Sequence, residues 1–151
     1  MYRRHRQVLP DFDGGETLYL RYGREDFVQG QLAPAAIRFP RTSVNRGILS
    51  EPEDALFAED GKYNGLGVVE FKVSDIPPTI VQEQGPTYAF FMQHVPHTDN
   101  YAHSEIWSDH AIRTGNYREP SKTVKLEFRI QICQRITKER IRIEAVRNRV
   151  A

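Results

Sequence analysis

The spacing of hydrophobic and polar residues predicts several β-strands. Residues 67–73 alternate branched or aromatic side chains with glutamate and lysine, which is the period of a half-buried strand. Residues 17–22 are rich in leucine and tyrosine and end at Gly23, so they predict a first strand. Residues 87–94 are apolar on both faces, which favours a strand near the centre of a sheet. Five aromatic residues of these strands are expected in the core rather than on a surface that stacks bases: Tyr19, Tyr22, Tyr88, Phe90 and Phe91.

The pattern at residues 124–132 fits two kinds of element. Apolar residues alternate there with charged or amide residues, which predicts a strand. The same segment also repeats apolar residues every four positions, as a helix does, but a helix would leave Leu126 and Ile130 on its far side. We therefore favour a strand, with a helix as the alternative for residues 122–136. A returning strand is expected at residues 141–143.

A helix start is marked at Ser50. The Ser50 hydroxyl can accept a hydrogen bond from the amide of Glu53 while the Glu53 carboxylate reaches back, and Pro52 suits the first turn. This capping box predicts a short helix over residues 50–58. Together with the strands, it gives an α+β fold with a mainly antiparallel sheet and one or two short helices.

Length and charge bound the organisation of the chain. The 151 residues suffice for one domain, which we place at residues 17–151. The first six residues hold four basic side chains and are followed by turn formers, so residues 1–16 are predicted to form a flexible basic arm. The net charge of +1 gives no general attraction to nucleic acid.

Two absences in the sequence favour a cytoplasmic protein. No apolar run reaches the ~20 residues needed to span a bilayer, so we expect no membrane contact. The only cysteine is Cys133, which excludes a disulfide scaffold and a Cys-rich zinc site. Its apolar neighbours predict a buried, unreactive thiol.

The histidines are clustered, and four of the five fall within one short stretch. Imidazole is the side chain that titrates nearest neutral pH, so paired histidines are suited to proton transfer. We predict a hairpin whose closing pair is Val95 with Ala102. His94 then lies opposite His103, about 5 Å away at Cβ, and Glu105 projects from the same face. A register shift of one residue would remove this arrangement.

The first functional hypothesis is metal-independent cleavage of RNA or another phosphodiester. His94 and His103 would act as base and acid, with Glu105 orienting one imidazole. Charge that builds on the phosphate oxygens needs nearby cations. Three arginines of one irregular segment are the candidates for substrate binding: Arg38, Arg41 and Arg46. Such a ribonuclease-like enzyme would need no cofactor and would bind RNA or a nucleotide-containing substrate.

Two alternatives stay open. His94, His97 and His103 could bind zinc in a His-ligated metal hydrolase, because imidazole suits that ion, although their spacing matches no strong signature. The histidines could instead be ordinary, in a non-catalytic protein-interaction or adaptor module. An enzyme would gather the predicted site residues around one open cleft. An adaptor would scatter them and expose an apolar patch to its protein partners.

Overall fold

Strand pairing dominates the computed structural model, which describes residues 12–39, 41–56, 65–81, 87–110 and 120–145. In chain order the strands are β1 (Thr17–Tyr22), β2 (Phe27–Val28), β3 (Gln31–Leu32), β4 (Arg41–Arg46), β5 (Gly67–Lys72), β6 (Thr79–Val81), β7 (Thr87–His94), β8 (His103–His110) and β9 (Ile141–Ile143). Seven of them form one antiparallel sheet in the order β6-β7-β8-β4-β1-β5-β9, and β2 pairs with β3 separately. The described residues therefore form a single α+β domain in which the sheet predominates.

The predicted strands at residues 17–22 and 87–94 are confirmed at both ends. The strand predicted at 67–73 is also present, although it ends at Lys72 because Val73 begins a short 3-10 turn. The returning strand at 141–143 is confirmed, and it pairs with β5 at one edge of the sheet.

The strand predicted over residues 124–132 is wrong, because this segment is the helix α1 (Lys122–Cys133). The Ser121 side chain caps it by accepting a hydrogen bond from the Val124 amide at 3.3 Å. One stripe of the helix is buried: Val124, Phe128, Ile132 and Cys133. Leu126 remains 51% exposed. Leu126, whose position was the reason for preferring a strand, faces solvent, where a single apolar residue is common.

Helix α1 packs on one face of the sheet, which we call the core face. The Phe90 and Phe128 rings stack with centroids 4.0 Å apart, and Phe39 meets Phe128 edge-on at 5.7 Å. Alternate residues of the strands supply the rest of this core: Leu18, Leu20, Tyr22, Val44, Val69, Phe71, Tyr88 and Ile106. The residues between them point to the opposite face. No helix among the described residues is long and apolar enough to cross a membrane.

A short helix is present within residues 50–58 as predicted, but its cap differs from the predicted one. The structure has a 3-10 helix over Pro52–Leu56, and residues 57 and 58 lie outside the described ranges. The Glu51 amide donates to the Asp54 carboxylate at 2.8 Å, whereas the Ser50 hydroxyl donates to the Arg46 carbonyl. The reach-back contact thus forms one residue later than predicted, through a shorter acidic side chain.

The packed chain begins earlier than the predicted domain boundary at residue 17. Cζ of Arg46 lies over the Phe12 ring, 3.8 Å from the ring centroid. Glu16 is also buried. Residues 1–11 of the predicted arm lie outside the described ranges. Cys133 is buried as predicted, and burial raises the pKa of its thiol to about 12.

Candidate functional site

The register of the β7–β8 hairpin differs by one residue from the prediction. His94 lies opposite Ser104, not opposite His103, and the Val95 amide donates to the His103 carbonyl at 3.1 Å. Because neighbouring residues of a strand point to opposite faces, His94 and His103 lie on different sides of the sheet. The predicted pairing of these two imidazoles is therefore wrong.

His94 lies on the core face, in a buried polar group at one end of the sheet. Its Nδ1 is 3.1 Å from the Ser104 hydroxyl, and its ring meets Tyr101 edge-on at 5.1 Å. Burial lowers the pKa of His94, and the positive charge of Arg46 lowers it further. Both effects favour the neutral form of this imidazole.

Arg46, predicted to contact phosphate, also lies on the core face. Its guanidinium forms a two-pronged ion pair with Glu16, at 2.7 Å from Nε and 2.8 Å from Nη2. The two side chains are 1% and 3% exposed. Arg46 therefore serves the fold, because a phosphate outside the molecule cannot reach a guanidinium buried so completely.

The opposite side of the sheet, which we call the polar face, holds three of the other predicted residues. His103 and Glu105 are two residues apart on β8, and Arg41 is on the neighbouring strand β4. The side chains that share this face by register include Tyr19, Arg21, Ser43, Asn45, Glu70, Phe91, Gln93 and Trp107. Tyr19 and Phe91 are only half-buried there, so placing them in the core was wrong, whereas Tyr22, Tyr88 and Phe90 are buried as predicted.

His103 is fixed in one tautomer. Its Nδ1 lies 2.7 Å from the Val95 carbonyl oxygen, which can only accept, so Nδ1 carries the proton and Nε2 keeps its lone pair. Burial lowers the pKa of His103, and the His97 ring stacks on it with centroids 3.8 Å apart. The result is a neutral imidazole, 7% exposed, with a basic nitrogen.

The loop that carries His97 is tied to the sheet by two amides. The side chains of Asn45 and Asn100 donate to each other at 3.2 and 2.8 Å. They border a small depression, the His103 depression, whose polar lining is Tyr19, Arg21, Ser43, Asn45, Asn100 and His103. Its volume of about 20 Å³ holds roughly one water molecule.

Glu105 does not orient an imidazole as predicted. Its carboxylate accepts a hydrogen bond from the Trp107 indole at 3.1 Å and lies 3.5 Å from Nε of Arg41. The Arg41 guanidinium is also 5.2 Å from the centroid of the Trp107 ring. Across the sheet, Phe91, Trp107 and Arg41 lie directly opposite one another on β7, β8 and β4. We call these three residues the stacking row.

Comparisons with protein-family models, curated proteins and solved structures gave no match. Two larger clefts in the described part have volumes of about 330 and 300 Å³. Neither is lined by a predicted catalytic residue or by Arg38, Arg41 or Arg46. Arg38 is exposed in the segment before β4, where its backbone bonds to Thr42. The polar face is therefore the candidate site, because it holds three predicted residues together.

The alternative zinc ligands do not converge. His97 and His103 stack on the polar face, whereas His94 is on the core face. Within the described ranges, no group of three His, Cys, Asp or Glu side chains is placed to hold a metal ion. Of the residues that the sequence reasoning missed, Tyr19 and Arg21 had a usable signal, since they alternate with the buried Leu18 and Leu20.

Proposed function

We propose that the protein binds single-stranded RNA on its polar face. The observation that carries this proposal is the stacking row, which places two aromatic rings and a guanidinium opposite one another on three adjacent strands. Side chains in such positions are about 5 Å apart at Cβ. Unpaired bases stack on aromatic rings and on the plane of arginine, and a sheet surface can present several such rings together.

The charges around the stacking row suit a phosphate backbone. The Arg41 side chain is 53% exposed, and Arg21 adds a second cation on the neighbouring strand β1. Two described carboxylates of this face already have cationic partners: that of Glu105 accepts from Trp107 and faces Arg41, and that of Glu70 pairs with Arg142. Exposed Ser43 and Gln93 offer hydroxyl and amide groups that can bond to base edges.

The distribution of exposed apolar side chains favours RNA over the protein-interaction alternative. In the described part, the exposed large hydrophobic residues are spread over β2, the turn after β4, strand β6 and helix α1: Val28, Ile48, Leu49, Val81 and Leu126. They do not gather into the contiguous patch that an adaptor would present. A protein partner becomes the preferred explanation only if RNA does not bind.

Tryptophan fluorescence tests the proposal directly, because Trp107 is the only tryptophan of the chain. Titration with a mixed-sequence RNA of about a dozen nucleotides should quench the Trp107 emission. Fluorescence anisotropy of the same RNA carrying a label should give the same Kd as the quenching. Loss of one stacked base is worth about 1–3 kcal/mol, so Phe91→Ala should raise Kd about 5- to 150-fold. Arg41→Gln should weaken binding and reduce the slope of log K against log salt by about one.

The matched control is Leu126→Ala, which removes an exposed apolar side chain from α1, on the other side of the sheet. This variant should bind RNA like the unaltered protein. Absence of quenching and anisotropy change at high RNA concentration would refute the proposal. The proposal would also be refuted if RNA bound with the same Kd to the Phe91→Ala and Arg41→Gln variants as to the unaltered protein.

A further inference from the structure

The polar face also carries a group suited to chemistry, which simple binding does not require. The His103 side chain is more than nine-tenths buried and lines the His103 depression. Its Nδ1 proton is committed to Val95, and no described residue bonds to Nε2. A histidine with one nitrogen held by a carbonyl and the other unprotonated is the arrangement of a general base.

The groups around Nε2 provide what an acid–base reaction on a phosphate needs. Arg21 lines the depression and is close enough to His103 to lower its pKa by charge repulsion. Its Nη1 also bonds to the Ala55 carbonyl at 3.3 Å, which fixes the side chain. Burial raises the pKa of Tyr19, so its hydroxyl stays protonated and can donate to an oxygen. The other titratable groups facing His103 are His97 and Glu105.

We propose that His103 is the general base of an RNA-cleaving reaction on the polar face. This inference depends on the RNA binding proposed above, because the depression itself admits only a group the size of a water molecule. A nucleotide would therefore lie over the face, with one 2′-hydroxyl entering the depression. The stacking row lies four residues further along β8, about 13 Å from His103, and would hold a base one or two nucleotides away.

The reaction balances without a further reagent. Nε2 of His103 removes the proton of the 2′-hydroxyl, and the 2′-oxygen forms a bond to the adjacent phosphorus. The bond from phosphorus to the 5′-oxygen breaks, and solvent water protonates the leaving oxygen. The products are a 2′,3′-cyclic phosphate and a 5′-hydroxyl end. Arg21 and the Tyr19 hydroxyl stabilise the negative charge that builds on the phosphate oxygens.

The test uses the full chain with an end-labelled single-stranded RNA, read by gel electrophoresis and by mass analysis of the ends. His103→Gln should reduce cleavage at least about 100-fold. Its Kd for RNA should change less than about twofold. The matched control is His94→Gln, which alters a histidine on the core face and should cleave normally. Melting temperature and circular dichroism show whether each variant folds.

A substrate control works even if His103→Gln fails to fold. RNA with a single 2′-deoxy nucleotide should resist the unaltered protein at that position only, since the nucleophile is missing. RNA that binds but is not cleaved, or His103→Gln that folds and cleaves at the full rate, overturns this inference and leaves the binding proposal standing. Absence of RNA binding overturns both.

Discussion

The buried ion pair between Arg46 and Glu16 predicts a large loss of stability when it is broken. Its two hydrogen bonds are 2.7 and 2.8 Å long, and both side chains are almost completely buried. Glu16→Ala leaves the guanidinium buried without its carboxylate, which costs about 3–5 kcal/mol in comparable pairs. For a domain of this size, that corresponds to a fall in melting temperature of about 6–20 °C.

Urea denaturation at pH 7, followed by circular dichroism, measures the change in the free energy of unfolding. The matched control is Glu70→Ala, which breaks a surface ion pair with Arg142. The Glu70 side chain is 19% exposed and that of Arg142 is 41% exposed. This substitution should lower the free energy of unfolding by about 0–1 kcal/mol. The double variant Glu16→Leu with Arg46→Met should recover most of the lost stability, because it buries no charge. A loss below 1 kcal/mol for Glu16→Ala would contradict the reasoning.

Three further predictions concern the helix, the histidines and the cysteine. Phe128→Ala should lower the free energy of unfolding, measured by urea denaturation, by about 3–5 kcal/mol. Leu126→Gln should change it by less than about 0.5 kcal/mol, because this side chain is exposed. Equal losses would contradict the helical arrangement, in which only Phe128 faces the core. Because the folded state lowers the pKa of His94 and His103 below 6.5, the unfolded chain binds protons more readily. The free energy of unfolding should therefore fall as pH drops from about 7.5 to 5.5, and His94→Gln should flatten that dependence. Cys133 should resist iodoacetamide at pH 8 until urea unfolds the domain, since its thiol is buried and its pKa is raised to about 12; rapid labelling of the folded protein would contradict this.

Strands were predictable where one face is buried, because a period of two then appears directly in the sequence. β1 is such a case, with Leu18, Leu20 and Tyr22 buried and the residues between them half-buried. Helix α1 was not predictable in this way. Its charged residues also fall at alternate positions, so the sequence fits both the period of a strand and the period of a helix. The deciding facts were the Ser121 cap and the tolerance of an exposed Leu126, and the second is a matter of tertiary environment.

The composition of the candidate site was easier to predict than its geometry. Sequence reasoning found His103, Glu105 and Arg41, which share the polar face, but it added His94 and Arg46 from the other face. A one-residue change of register is enough to misplace His94, because it reverses which face every side chain of a strand occupies. Arg46 was misplaced because its segment was predicted to be irregular, whereas Arg41–Arg46 form strand β4, in which Arg41 and Arg46 point to opposite faces. Loop contacts such as the Asn45–Asn100 amide pair fix the register, and these residues are 55 positions apart.

The two faces of the sheet divide the polar residues between two physical tasks. On the core face, Arg46 and Glu16 form a buried ion pair, and His94 bonds to Ser104, so substitutions there should act through stability. On the polar face, His103 and Arg41 each keep hydrogen-bonding capacity beyond their described partners. Substitutions of these two should therefore alter binding or cleavage more than folding. Measuring Kd, cleavage and urea denaturation on the same variants separates the two tasks, since a site that served only the fold would lose stability and activity in proportion.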